Sequence, residues 1–256
     1  MFGITENGDA SLNYEWMDHV YTMDGSILIT KKLTKDFKMT AMALSYLPII
    51  LHVSCTGYGG SVLEPHLDAY PDTIDGIREL LDLGFPADRI VLRVDPIIPT
   101  SKGLALFKDV ISLAQDVIPE ITRVRISVMD MYPHVRKRFQ EKGLPCPYGN
   151  NFKATDDMFI ELNRTVERLK RKYPTLRFET CTETDIPSAS AVGCVSAEDY
   201  KILGLPTPPD TKKGQRKGCL CLGEKQDMLK FKYNETGYNH CYGCLYCYWQ
   251  TEKDKQ

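Results

Sequence analysis

Towards its end the sequence reads HCYGCLYCYWQ, His240–Gln250, with Cys241, Cys244 and Cys247 each separated from the next by two residues. Thiolates at this spacing can wrap an iron–sulfur cubane from one short loop, as in the ferredoxin run, which adds a fourth cysteine after the third. Here Tyr248, Trp249 and Gln250 follow instead, so a three-thiolate cluster would leave one iron open to a substrate or cofactor. A second arrangement is zinc, closed tetrahedrally by Cys219, Cys221, Cys241 and Cys244. Its C-x-C first pair is tighter than the usual knuckle, and it leaves Cys247 over. A third is five reduced, unliganded thiols, a density that exposed cysteines rarely reach without liability. Bound metal is the expected answer.

Of nine cysteines, Cys55, Cys146, Cys181 and Cys194 are scattered and the other five lie from Cys219 onward. The opening MFGITENGDASLNYEW carries acids and no apolar core of a signal peptide, so a cytoplasmic, thiol-reducing setting is expected and disulfides are not. No apolar run approaches the roughly 18 residues of a membrane span. A formal net charge of −2 gives no bulk electrostatic case for nucleic acid. Lys212, Lys213, Arg216, Lys217, Lys225, Lys230 and Lys232 crowd around Cys219 and Cys221, and read as a solvated connector rather than a phosphate-binding patch.

These residues need a scaffold, and the chain alternates strands with helices. Pro48–Thr56, Arg89–Ile98, Arg123–Tyr132 and Leu176–Glu183 read as strands, with Val192–Ser196 as a short last one. MFGIT and Gly25–Leu33 read as the first two. Helices are expected at about 73–83, 104–117 and 156–173, the last capped by Thr155. Pro96 and Pro99 should stop pairing near Asp95. Alternation of this kind implies a parallel sheet, either an open doubly wound sheet or a partial barrel. PTPPDTKKGQRK, Pro206–Lys217, reads as a linker. The expected division is an α/β domain over 1–205, then a linker and cysteine-rich module over 206–256.

Parallel α/β folds bind ligands at the carboxyl ends of their strands. Thr5, Glu6, Asn7, Cys55, Thr56, Arg93, Asp95, Asp130, Tyr132, Glu179, Cys181 and Glu183 are all expected there. Arg93 is expected to pair with Asp95, Asp130 or Glu179, because a buried charge needs a partner. The turn TGYGGS, Thr56–Ser61, would let backbone approach an anion.

LRVDPIIP, ISVMDMY, ETCTE, GQRKGCLC and HCYGCLYCYW stand in the order found in the family called domain of unknown function 1848. That family is similar to radical S-adenosylmethionine (SAM) enzymes, especially those like spore photoproduct lyase. The terminal cysteines resemble the radical SAM cluster loop moved from the start of the barrel to its end. The usual loop is C-x3-C-x2-C. Cys244, Tyr246 and Cys247 match it, while His240 stands where its first cysteine would be and Cys241 comes one residue late. Thiolate is the ordinary cluster ligand, which favours Cys241.

The resemblance implies a partial (β/α) barrel of the radical SAM type with a C-terminal cysteine-rich cluster-binding segment. It implies a [4Fe–4S] cluster on Cys241, Cys244 and Cys247, SAM as cofactor, and a 5′-deoxyadenosyl radical that takes hydrogen from a substrate. A nucleic-acid base, a nucleotide or a small metabolite is the expected substrate class, and a flavodoxin- or ferredoxin-like protein the electron donor. Thr56, Gly59, Gly60, Arg93, Asp95 and Tyr246 are the expected cofactor-binding residues. Cys55, Arg93, Asp130, Glu179 and Cys181 are the expected catalytic ones, with Cys194 a further thiol hydrogen donor. Cys219 and Cys221 are expected as additional metal ligands. The competing readings are a cluster protein for electron transfer or structure, and a zinc-stapled nucleic-acid-binding protein.

Overall fold

Runs rich in Ile, Leu and Val form the central four of eight strands in the computed structural model, which describes residues 1–181, 183–209, 219–230 and 241–249. The strands are β1 (Phe2–Ile4), β2 (Gly25–Thr30), β3 (Ile49–Ser54), β4 (Ile90–Ile97), β5 (Arg123–Val128), β6 (Arg177–Thr180), β7 (Ser190–Ala191) and β8 (Lys225–Asp227). The helices are α1 (Met17–Val20), α2 (Lys35–Ala43), α3 (Tyr70–Asp82), α4 (Ser101–Val117), α5 (Pro133–Glu141), α6 (Asp156–Lys172) and α7 (Ala197–Ile202). All strands join one sheet in the order β7-β6-β5-β4-β3-β2-β1-β8. Every pairing is parallel.

That order decides between the two architectures the alternation allowed. A doubly wound sheet reverses direction at a switch point. Here each strand from β1 to β7 adds to the same side, and β8 lands beside β1, the cyclic order of a barrel with its β7–β8 seam unpaired. Beyond the strands the seam is bridged, because the Leu222 amide donates to the Val195 carbonyl at 2.9 Å. The fold is an α/β partial barrel. Its last strand comes from the 206–256 segment.

Strand alternation separates two faces. Leu28, Leu51, Val53, Leu92, Val94, Val124, Ile126 and Phe178 point outward into the large core shared with the helices. Phe2, Ile4, Ile27, Ile50 and Val91 point inward and pack with Val195, Tyr200, Cys219 and Cys221. On α6, Phe159, Leu162, Val166 and Leu169 recur at helical spacing and are buried. The Thr155 hydroxyl caps it by accepting from the Met158 amide, as expected.

Two strand expectations change. Pairing of β4 does not end at Asp95; the register shifts after Val94 and resumes with Ile97 opposite Val128, so the proline is passed by a bulge. The last short strand of the body is Ser190–Ala191 rather than Val192–Ser196, which instead runs along the seam. Most of the basic linker, including Lys212, Lys213, Arg216 and Lys217, lies outside the described residues, as do Lys232 and His240.

Candidate functional site

A strand that enters a parallel sheet leaves its last residues at one common mouth, and here the C-terminal cysteine loop lies across it. Tyr242 OH hydrogen-bonds the Ser11 hydroxyl at 2.9 Å, in the segment after β1. The Leu245 amide donates to the Leu63 carbonyl at 2.9 Å, in the loop after β3. Arg138 of α5 donates to the carbonyls of Leu245, Cys247 and Trp249, at 3.4, 2.7 and 2.7 Å. The loop is thus fastened from three sides.

At its centre is Glu64. Thr56 Oγ1 donates to Glu64 Oε2 at 2.7 Å, and Lys31 Nζ lies 3.1 Å from Oε1. Tyr246 OH donates to the same oxygen. Lys31 also donates to Tyr246 OH at 2.9 Å, and Cys244 Sγ lies 3.9 Å from Glu64 Oε1. Burial alone would depress the Lys31 ammonium, but Glu64 beside it, with Cys244 and Asp95 adding, reverses the sign and holds its pKa above the ordinary value. Burial pushes the Tyr246 phenol well up, so it remains a donor. Burial also raises the Cys244 thiol, with Lys31 opposing and Glu64, Cys247 and Cys241 adding to the rise.

Three thiols on one loop, with Lys31 and Arg138 as flanking cations, suit an iron–sulfur cluster by donor chemistry, because bound thiolates bring negative charge. Among the described residues no three His, Cys, Asp or Glu side chains already converge on a metal-holding point. Binding would have to displace the Cys244 proton, which a metal ion does readily.

The expected pocket residues divide. Cys55 and Thr56 stand at this mouth beside a cavity of about 10 Å³, room for roughly one water. Burial raises the Cys55 thiol to about 12, so it stays protonated. Gly60 has a left-handed φ of 74° and open space around it. Gly59 is bare for a different reason: a Cβ there would come within 1.7 Å of the Asp68 carbonyl oxygen, so its own chain uses the space. Asp130 follows β5, and its charge, after burial, raises the neighbouring Glu183 carboxyl.

Arg93, Asp95, Glu179 and Cys181 belong to the inner face. Arg93 pairs with Asp95, as expected, and Ser127 also donates to Asp95. Burial opposes the Asp95 charge, but Arg93, Ser127 and Lys31 together outweigh it and lower the pKa. Glu179 sits between Arg123 (3.2 Å) and Arg125 (2.7 Å), and Arg123 also reaches Asp199 at 2.8 Å. The Glu179 partners are therefore Arg123 and Arg125, not Arg93.

Cys219 and Cys221 are buried in the inner core, whereas Cys244 is buried in the core shared with the helices. The five late cysteines thus occupy two places. Lys31, Glu64, Arg123, Arg125 and Arg138 were not singled out from the sequence. Lys31 directly follows ILIT and Glu64 follows the glycine turn, so their strand-end placement was readable. The alternating arginines of RVRISV likewise marked a charged inner face. Arg138 carried no such signal, because only tertiary packing brings α5 to the loop. A larger cavity of about 330 Å³ opens at the opposite, amino end of the strands, beside Ala87, Arg123, Arg177, Glu198 and Lys201. Parallel sheets place their chemistry at the carboxyl end, so the loop-covered mouth is the candidate site.

A family model described as a domain of unknown function (DUF1848) matches residues 13–249. The chain belongs to this family. No curated protein matches it. No helix among the described residues of this DUF1848 chain is long and apolar enough to cross a membrane.

Proposed function

We propose that this DUF1848 protein is a radical SAM-type enzyme with a [4Fe–4S] cluster on Cys241, Cys244 and Cys247. The observation that carries the reading is the place of the loop. A cluster loop at the start of a barrel would lie over the first strands. This loop arrives from the far end of the chain and is tied to the same region, through Ser11 after β1, Lys31 after β2 and Glu64 after β3. β8 makes that possible by delivering the chain beside β1.

When bound, the cluster with SAM would supply a 5′-deoxyadenosyl radical that takes hydrogen from substrate. Lys31, Thr56 and Glu64 orient the loop through Tyr246. Arg138 holds the backbone around Cys247. In this reading the protonated Cys55 thiol, which borders the small cavity, returns a hydrogen atom to a product radical. An electron from the donor protein with a proton from solvent restores the thiyl to a thiol. A cavity of about 10 Å³ is far too small for SAM, so the Glu64-centred contacts must loosen on binding. An electron-donor protein of the flavodoxin or ferredoxin type and a nucleotide-like substrate complete the proposal.

Anaerobic reconstitution with iron and sulfide tests it. Brown protein that converts SAM to 5′-deoxyadenosine under reduction supports the reading. Cluster-loaded protein that neither shifts its absorption with SAM nor forms 5′-deoxyadenosine defeats it. A basic, zinc-stapled nucleic-acid binder would instead be colourless, with affinity falling steeply in salt.

A further inference from the structure

The inner face holds a second group of cysteines that the C-terminal loop does not use. The Cys194 thiol is in hydrogen-bond contact with the thiols of both Cys181 and Cys221. Its backbone N–H also donates to Cys221 Sγ at 3.2 Å. Cys219 is buried in the same core as Cys221, and Cys194 packs against it. The two segments are pressed together at the seam, where a Cβ on Gly193 would come within 2.4 Å of the Cys221 backbone.

Unpartnered nitrogens crowd this interior. Arg93 Nε, Arg125 Nε and Nη1, and both ring nitrogens of His52 are buried without a hydrogen-bond partner. The charges of Arg125 and Arg93 act on Cys194. Orphaned buried N–H groups cost free energy unless something accepts from them. Metal-bound thiolates are negatively charged and take such hydrogen bonds at sulfur.

We propose that Cys181, Cys194 and Cys221, with Cys219 as fourth ligand, bind a zinc ion at the seam of the partial barrel, apart from the C-terminal loop. Four thiolates make a closed tetrahedral zinc site. The tight approach at Gly193 favours one ion over a cubane. The thiols do not share a common centre in this structure. Cys181 and Cys221 would close on the Cys194 sulfur that both already contact, each ligating thiol releasing its proton to solvent. The ion would join the chain after β7 to the chain before β8, which strand pairing leaves apart.

The test uses the full chain with Cys241, Cys244 and Cys247 all replaced by Ser, which removes the other cysteine set. Grown with zinc, it should retain about one zinc per chain. Adding Cys194→Ser and Cys221→Ser should remove that zinc, together with the thiolate-to-metal absorption seen when Co²⁺ is substituted. If the added substitutions prevent folding, alkylation of wild-type protein before and after zinc removal gives the answer by mass spectrometry. Cys181, Cys194, Cys219 and Cys221 should become reactive only after removal. A normally folded triple variant without metal, or zinc that survives loss of Cys194 and Cys221, overturns the site. Iron with acid-labile sulfide on these cysteines overturns the single zinc ion. None of these outcomes depends on whether the C-terminal loop binds a cluster.

Discussion

Glu64 takes hydrogen bonds from Lys31, Thr56 and Tyr246 at once, and is only 3% exposed. Removing it as Glu64→Ala leaves the partly buried Lys31 ammonium without its counter-charge. Breaking a buried pair from one side costs about 3–5 kcal/mol, and the partial exposure of Lys31 puts the loss at the lower end of that range. We expect Glu64→Ala to lower the denaturant midpoint accordingly and to speed alkylation of Cys244; an unchanged midpoint would remove Glu64 from the centre of the site. Gly59 makes a separate point about the same turn. Gly59→Ala must push the Asp68 carbonyl aside, and overpacking of this kind costs about 1–3 kcal/mol. Thermal melting should register the loss, whereas Gly60→Ala should lose stability only through its positive φ. The sequence flagged both glycines for one reason, and packing separates them.

Among the elements, α5 has the most specific task. Arg138 reaches three carbonyls of the cysteine loop, and a hydrogen bond to a charged group is worth about 1.5–3 kcal/mol. Arg138→Ala should leave the barrel folded, as judged by far-UV circular dichroism, while Cys247 becomes markedly faster to alkylate. No change in Cys247 reactivity would mean that the loop is held by Tyr242, Tyr246 and the Leu245 amide without help from α5. On α6, Thr155→Ala removes the N-cap and should cost about 1 kcal/mol in equilibrium unfolding. That cap, the helix itself and the strands β3 to β6 were legible because apolar periodicity and capping chemistry are local. α5 was not, since PHVRKRFQE is strongly polar and its buried side chains, Val135, Arg138 and Phe139, include a charge. β8 was also hidden, because KQD has no apolar signature and earns its place only by pairing with β1.

At the scale of the molecule, alternation in the sequence left a barrel and a doubly wound sheet equally open, and strand order alone decided between them. Strand order is set by contacts distant in sequence, which no local window carries. The β8 closure also has a titration signature. Asp227 accepts from the amides of Glu6, Asn7 and Leu229, yet burial raises its carboxyl to about 6. An acid whose folded pKa is raised binds more protons folded than unfolded between its unfolded value, 3.8, and about 6. Its contribution should therefore be intact below the lower value and decline as pH rises through the upper one. Unfolding midpoints at about pH 4 and about pH 7 should show this decline against the opposing trend from Glu179, whose carboxyl is lowered by Arg123 and Arg125 once their attraction outweighs burial. Asp227→Asn should remove that part of the slope.

Phe2 lies opposite Lys225, so one flank of β1 is completed by residues made long after it. A nascent chain must therefore hold β1 as a bare edge until β8 has been made, and unpaired parallel edges are slow to satisfy and prone to stray association. Shortened chains ending before β8 should aggregate rather than merely lose activity, and a host chaperone that shields exposed strands should matter more for this protein than for a barrel whose ends meet by direct pairing.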